Sequence, residues 1–407
     1  MRRIQSSNQL VAFLAAFGML VGLVCVSVVG AQEPMRPAGQ TSTASNSNAL
    51  SQAVSRAAGF LAQAQADDGS FSNHPGVTAI ATTALLRNGR TPNDPVVAKS
   101  LKYLEARVHD DGGIYREGST HKNYETCTAM VAFQEANKDG RYKDVIARAE
   151  KFVKEQQWDE GESHDKASPN YGGAGYGSQS RPDLSNTSFL VDALHTLGRG
   201  EEDPAVQKAL LFISRCQNLE SGHNTTQYAA KVNDGGFYYT IAAGGSSFAG
   251  ETLEGGLRSY GSMTYAGLKS MIYAGVGKDD PRVKAASDWV KKHYTVTENP
   301  GMGEQGLYYY YHTFAKALDT MGDEKLATAD GKMHDWRAEL VEQLASTQKA
   351  DGSWINSNTR WLEGDPNLVT AYSLLALSYC QPKDGPKDGG KPPMDRVLPD
   401  VPGQPRR

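Results

Sequence analysis

A short pattern recurs along this chain and constrains its fold more than any other feature. Phe60-Leu61 is followed after three residues by Gln65 and after three more by Gly69. Further copies of the pattern begin at Tyr103, Phe152, Phe212, Trp289 and Leu344. In the third copy the spacing predicts Gly161 as the turn glycine, and in the fourth an insertion displaces the turn to residues 234–237. A repeat of this kind indicates one structural unit packed against copies of itself.

Each unit is predicted to be a charged helix, a tight glycine turn and a more apolar helix. The first halves carry many charged residues, so one side of each should face solvent. The second halves are apolar nearly all round, as is typical of buried helices. They cover residues 78–86, 124–133, 187–197, 263–273, 308–318 and 369–377. Six outer and six inner helices predict an all-α (α/α)6 toroid over residues 49–380, in which repetition extends one core past its usual size.

The N-terminus has the pattern of an export signal. Arg2 and Arg3 precede an uncharged apolar run that ends at a small-residue cleavage site, Val29-Gly30-Ala31. Residues 1–31 are therefore predicted to be a signal peptide. The alternative is a retained anchor that tethers the protein to a membrane, since the run is long enough to span one. Either interpretation implies an exported protein, periplasmic or extracellular.

The segments that flank the body have little apolar content. Residues 32–48 are predicted to be a flexible linker and residues 381–407 a disordered Pro/Gly-rich tail. The formal net charge of −4 disfavours a nucleic-acid partner, because such partners are bound largely through cationic contacts to phosphates.

The repeats resemble the QW repeats of squalene–hopene and oxidosqualene cyclases. The layout of helix pairs is also similar to that of protein prenyltransferase β subunits and of the thioester domains of complement-like proteins. The resemblance covers residues 49–380. It implies a terpenoid-cyclase-like toroid whose central cavity opens at the N-terminal ends of the inner helices. An isoprenoid or another apolar molecule would bind there, and no cofactor is implied.

The segment Pro182 to Thr187 resembles the acid motif of squalene–hopene cyclases, P-D-x-D-D-T. In that family the central carboxylic acid protonates an alkene or an epoxide. Ser185 stands at the position of that acid and Asn186 at the next one, so only Asp183 and Thr187 keep the pattern. A hydroxyl cannot protonate an alkene. Asp183 is the residual candidate acid, with helix capping as the alternative, while Ser185 and Asn186 are candidate ligand-binding residues.

A second segment, Leu307 to Thr313, resembles the Y-H-T helix of prenyltransferases, in which the His is a zinc ligand. His312 occupies that position, but the preceding inner helix has no Asp or Cys to complete the ligand set, so no metal site is predicted. The i, i+3, i+4 spacing puts Tyr308, Tyr311 and His312 on one face. That face is predicted to line the cavity, with His312 as a candidate catalytic base or ligand, and aromatic core packing is the alternative.

The remaining candidates lie where other inner helices begin. His121 and Glu125 are one helical turn apart, and either acid–base catalysis or a solvated helix start explains that spacing. Tyr124 and Tyr260 complete the predicted ligand-binding set. Three functional hypotheses follow: a cyclase-like or prenyltransferase-like enzyme with an isoprenoid or apolar substrate, a non-catalytic binding toroid, and a carbohydrate-active α/α-toroid enzyme.

Overall fold

The computed structural model describes the backbone of residues 38–177 and 180–382, and the side chains from residue 46 onward. The predicted signal peptide and residues 383–407 of the predicted tail lie outside the described residues. The α-helices of the described part are α1 (Ala38–Ala64), α2 (Pro75–Arg87), α3 (Pro95–Glu105), α4 (Lys122–Ala136), α5 (Lys143–Glu155), α6 (Leu184–Thr196), α7 (Pro204–Arg215), α8 (Ala229–Val232), α9 (Gly261–Tyr273), α10 (Pro281–Lys292), α11 (Leu307–Met321), α12 (Trp336–Thr347) and α13 (Pro366–Ser378). Two short strands, β1 (Leu326–Ala327) and β2 (Met333–His334), pair antiparallel before α12.

Six helices form a closed inner ring, and the predicted all-α (α/α)6 toroid is confirmed. In chain order α2, α4, α6, α9, α11 and α13 each pack against the next, and α13 packs back against α2. The outer helices α1, α3, α5, α7, α10 and α12 alternate with them along the chain. Eleven consecutive residues of α2, from Pro75 to Leu85, are buried, as expected for a helix surrounded by protein.

In four of the six units, the repeated glutamine joins the unit to the next one. Gln65 Nε2 donates to the carbonyl of Gly69 at 3.1 Å and to that of Val96, at the start of the next outer helix, at 2.8 Å. Gln348 does the same to Gly352 and to Ala53 of α1, which connects the last unit to the first. Gln157 and Gln217 make the corresponding pairs of bonds. These amides satisfy buried carbonyls that would otherwise be costly.

The turn glycine is required by a close approach to the neighbouring outer helix. Gly69, Gly112, Gly172, Gly235 and Gly352 all have φ between 81 and 91°. A Cβ at Gly172 would lie 1.8 Å from the carbonyl oxygen of Lys208. The prediction of Gly161 for the third unit was therefore wrong: Gly161 lies in a 3-10 turn inside an insertion, and Gly172 occupies the turn.

The first helix is longer than predicted. It begins at Ala38, so residues 38–48 of the segment predicted to be a linker are helical. Small and polar residues predominate there, which is typical of a loop, but no Gly or Pro after Gly39 interrupts a helix. Among the described residues, no helix is both long and apolar enough to cross a bilayer.

Candidate functional site

A cavity of about 380 Å³ opens at the N-terminal ends of the inner helices. Every inner helix, or the loop just before it, contributes to its wall. The lining residues are His74, Val77, His121, Tyr124, Tyr176, Ser185, Asn186, Phe189, Tyr239, Phe248, Tyr260, Ser262, Met263, Gly306, Tyr309, Trp361, Leu362, Glu363, Leu368 and Tyr372. The volume falls within the usual range for small-molecule sites.

Aromatic rings form a large part of the wall, and several of them contact one another. The ring of Phe189 lies edge-on to that of Tyr124, with centroids 5.0 Å apart, and 6.1 Å from that of Tyr309. On the opposite side Phe248 contacts Trp361 at 5.1 Å. A surface of this kind binds apolar chains by burial and attracts cations through the faces of the rings.

Asp183 lies behind the cavity wall, where it caps α6. Its Oδ1 accepts from the backbone N–H of Asn186 at 2.8 Å, and its Oδ2 accepts from the side-chain amide of the same residue at 2.8 Å. The carboxyl is only 2% exposed, and this burial raises its pKa to about 6 although the two bonds oppose the rise. Asp183 therefore has a structural role that accounts for its position in the motif.

Thr187, the other conserved element of the motif pattern, belongs to the repeat rather than to acid chemistry. Its Oγ1 accepts from the backbone N–H of Ala174, which follows the glycine turn, at 3.0 Å. The same bond recurs in four other units. The equivalent threonines are Thr78, Thr126, Thr264 and Thr370. The threonine of the motif is thus explained by how a unit packs.

Ser185 and Asn186 face the cavity, at the place where the resemblance puts the reacting acid. Ser185 Oγ lies 3.0 Å from Tyr309 Oη in a hydroxyl–hydroxyl hydrogen bond. The Asn186 side chain is 1% exposed, and among the described residues its Oδ1 has no hydrogen-bond partner. This part of the wall offers neutral donors and acceptors and no carboxyl group.

Sequence reasoning missed the carboxylate that does line the cavity, Glu363. The side chain is buried and accepts from the backbone N–H of Tyr309 at 2.8 Å and from Asn356 Nδ2 at 2.6 Å. Burial nevertheless raises its pKa. The signal available was its place in the loop before an inner helix, which is where the other cavity residues lie. Trp361 and Leu362 turn this loop inward with positive φ angles of 55 and 63°.

The structure separates His121 from Glu125. His121 lines the cavity, with its ring 4.6 Å from that of Tyr176. Glu125 lies outside the lining, where it accepts from the backbone N–H of Arg116 at 2.9 Å and from Ser119 Oγ at 2.8 Å. Its two oxygens therefore hold the loop that precedes α4. No hydrogen bond joins the two side chains among the described residues, so the one-turn spacing does not produce an acid–base pair here.

On α11 the cavity face differs from the predicted one. Tyr309 lines the cavity, whereas Tyr308 and Tyr311 point toward the outer side of the ring. Tyr311 donates to the carbonyl of Val296 at 2.8 Å and accepts from Gln343 of α12 at 3.4 Å. Both tyrosines are thus packing residues between an inner and an outer helix, which was the alternative interpretation.

His312 does point into the ring, but deeper than the main cavity. It lines a second, smaller cavity beside Lys316 and Asp192. Burial and the nearby lysine ammonium groups hold its pKa well below the usual range. Two ammonium groups also disfavour a metal cation there. Across the described side chains, no group of three or more His, Cys, Asp or Glu is arranged to hold a metal ion.

Tyr124 and Tyr260 both line the cavity, as do His74 and Tyr176, which start or precede inner helices. His74 Nδ1 caps α2 by accepting from the Gly76 N–H at 3.1 Å, and burial lowers its pKa. The loops at residues 170–177 and 242–260 contribute to the wall through Tyr176, Phe248 and Tyr260, while residues 218–233 are not among the lining residues.

The closed ring and its aromatic cavity define an α/α toroid of the terpenoid-cyclase type, and comparison with known proteins agrees. Residues 73–248 match the family described as the squalene–hopene cyclase C-terminal domain. The apo structure of the type II terpene cyclase MstE from Scytonema matches with a TM-score of 0.51 and 13% identity, over 81% of this chain and 97% of that one. The chain is therefore similar to the squalene–hopene cyclase C-terminal domain over residues 73–248, and it shares the toroid fold of a type II terpene cyclase.

Two further structures of the same Scytonema enzyme are similar in fold. A point variant in complex with merosterolic acid A, the product, has a TM-score of 0.51 and 13% identity, over 82% of this chain and 97% of that one. A second variant, in complex with the substrate geranylgeranyl dihydroxybenzoate, has a TM-score of 0.50 and 12% identity, over 82% and 98%. No curated protein matches the chain.

Proposed function

We propose that this protein is an isoprenoid-binding toroid whose cavity holds an apolar ligand without starting a cyclisation at the motif position. The observation that carries the proposal is the wall around Ser185. The hydroxyl that replaces the acid is hydrogen-bonded to Tyr309 Oη at 3.0 Å, inside a cavity lined by nine aromatic residues. Such a wall retains the apolar and cation-stabilising surface of a cyclase but has no proton donor strong enough for an alkene at that point.

The ligand class is supported by the shape and lining of the cavity. Branched polyene chains are bound by burial against rings, and the 380 Å³ volume suits a molecule of that size. The structures of the Scytonema enzyme with geranylgeranyl dihydroxybenzoate, the substrate, and with merosterolic acid A, the product, share the fold and support the same ligand class.

Binding can be tested with a matched pair of cavity and surface variants. Met263 lines the cavity, and Met333 is 57% exposed on β2. Geranylgeraniol is titrated into the purified protein and the complex is counted by native mass spectrometry. We expect one bound molecule with the wild type and with Met333→Trp, and loss of binding with Met263→Trp, whose ring fills the cavity. Equal binding by the two variants would show that the ligand lies elsewhere.

A second candidate function is a cyclase whose acid has moved to another element. Glu363 favours it, because its buried carboxyl faces the cavity and has a raised pKa, as a proton donor requires. Conversion of a polyprenyl substrate by the wild type and its loss in Glu363→Gln, with binding retained, would support this function. The bonds from Tyr309 and Asn356 hold the carboxylate form and argue for the binding function instead.

We also propose that the protein is exported, on the strength of the apolar run after Arg3. N-terminal sequencing of protein from a secreting host tests this proposal. A new terminus at Gln32 is expected from cleavage, an intact terminus in the membrane fraction from anchoring, and an intact soluble protein in the cytoplasm would contradict export.

A further inference from the structure

A second cavity of about 40 Å³ lies deeper in the ring than the aromatic cavity. It is lined by the middle and C-terminal parts of inner helices, and its charged and titratable wall comes from Arg87, Asp192, His312 and Lys316. A buried cavity of this size holds a group of only a few heavy atoms, since a single water needs about 10–15 Å³. We call it the floor cavity.

Cations outnumber acids around the floor cavity. Asp192 pairs with two lysines: Lys316 Nζ lies 2.7 Å from its Oδ2, and Lys269 Nζ donates to its Oδ1. Lys269 is 1% exposed and Lys316 is 7% exposed. Arg87 is balanced by Glu135 at 2.7 Å. When both lysines are protonated, one positive charge is left over in a buried place; burial lowers the pKa of Lys269 to about 7 and also lowers that of Lys316, and an anion would offset this cost.

Unused hydrogen-bonding capacity also faces this cavity. Among the described residues, Asp192 is the only acceptor for the three N–H donors of Lys316. His312 is 6% exposed, and its Nδ1 has no partner within the same described part of the chain. An ammonium and a neutral imidazole, which presents an N–H at Nδ1 in one of its two tautomers, form a set of donors suited to an anion with compact oxygens.

We infer that the floor cavity binds a small monovalent anion of the carboxylate type. The anion can be a free ion or the end group of an apolar ligand whose chain lies in the aromatic cavity. Phe189 and Tyr372 line both cavities, so these two rings lie between the floor cavity and the main cavity. The end-group case rests on the proposed isoprenoid-binding function, whereas the free-ion case stands without it.

The test compares an acid with an alcohol of the same chain. Farnesoic acid and farnesol are titrated into the full-length protein by calorimetry, with and without formate. Lys316→Met is the test variant. It leaves Lys269 and Asp192 as a balanced pair, so the fold is retained. Lys284→Met is the control, because Lys284 lies on α10 at the surface with 58% of its side chain exposed.

We expect the wild type and Lys284→Met to bind farnesoic acid at least about tenfold more tightly than farnesol, and Lys316→Met to bind both equally. Formate should weaken the acid and leave the alcohol unchanged. If acid and alcohol bind equally to the wild type and formate has no effect, the anion site is refuted while the isoprenoid function stands.

If neither farnesyl compound binds, the proposed isoprenoid-binding function fails. The anion site is then tested with formate alone. Formate should then raise the midpoint of thermal unfolding of the wild type in a saturable way and leave Lys316→Met unchanged, at constant ionic strength. Equal shifts in the two proteins would overturn the inference.

Discussion

Burial of Asp183 should make the stability of this protein depend on pH in an unusual direction. The pKa of the carboxyl is raised from 3.8 to about 6 in the folded protein. A group whose pKa is higher in the folded state takes up its proton on folding. Asp183 therefore opposes folding when ionised at neutral pH, and the fold gains stability as the pH falls through about 6.

The substitution Asp183→Asn removes this titration and keeps the cap. The new amide oxygen can still accept from the backbone N–H of Asn186, and Asn186 Oδ1, which lacks a partner among the described residues, can accept from the new amide after a flip. With a pKa of about 6 in the fold against 3.8 unfolded, the wild type should gain about 1.4 kcal/mol relative to the variant between about pH 7 and pH 5.

The assay is urea unfolding of both proteins at the two pH values, followed by circular dichroism. Asp280→Asn is the control. Asp280 caps α10, and its pKa is lowered by hydrogen bonds from Arg282, so its contribution is fully present over this pH range and is lost only at lower pH. The difference between wild type and Asp280→Asn should be constant. If the difference between wild type and Asp183→Asn is also constant, the buried carboxyl does not titrate near 6 and the reasoning about its environment is refuted.

Three further predictions concern the repeat and the motif. Gly172→Ala should lower the free energy of unfolding by about 3 kcal/mol or more, because its Cβ would lie 1.8 Å from the Lys208 carbonyl oxygen. Gly89→Ala is the control: Gly89 has a φ of +90° but open space around it, so the loss should be only about 1–2 kcal/mol. Urea unfolding of both variants measures the difference. Gln217→Ala should cost about 2–4 kcal/mol in the same assay, since two buried carbonyls lose their donor, and a loss below 1 kcal/mol would contradict the connecting role of the glutamine. Ser185→Ala should leave the geranylgeraniol affinity within about threefold, measured by calorimetry, because it removes only the hydrogen bond between the hydroxyls of Ser185 and Tyr309. Loss of binding would show that Ser185 is the main anchor of the ligand.

The sequence was sufficient to predict the ring of helices and the end of the ring at which the cavity opens. Apolar segments of helical length recur with glycine turns between them, and only a closed ring buries all six. The same reasoning identified Ser185, Asn186, Tyr124, Tyr260 and His121, all of which line the cavity, because each stands where an inner helix begins.

The face of α11 could not be predicted, and the reason lies in its composition. Residues 308–311 are four consecutive tyrosines, so the segment has no apolar periodicity that separates an inner face from an outer one. The structure turns Tyr309 inward and Tyr308 and Tyr311 outward. Which of them lines the cavity depends on tertiary contacts, such as the hydrogen bond between Tyr311 and Gln343 of α12.

Glu363 and Gly172 were missed for different physical reasons. Glu363 reaches the cavity because Trp361 and Leu362 adopt a left-handed backbone conformation. This conformation is uncommon for residues other than glycine, so the sequence does not predict it. Gly172 was hidden by the insertion that follows Trp158, since Gly161 happens to stand at the regular spacing. In both cases tertiary contacts override a local pattern.

The central claim is that the cavity binds a polyene without protonating it, and one measurement tests it most directly. The protein is incubated with geranylgeraniol in heavy water, and the bound and released lipids are analysed by mass spectrometry. Protonation-initiated cyclisation in heavy water introduces a deuteron into the product. We expect the bound alcohol to be recovered linear and unlabelled. A cyclised, deuterated product from the wild type would contradict the claim.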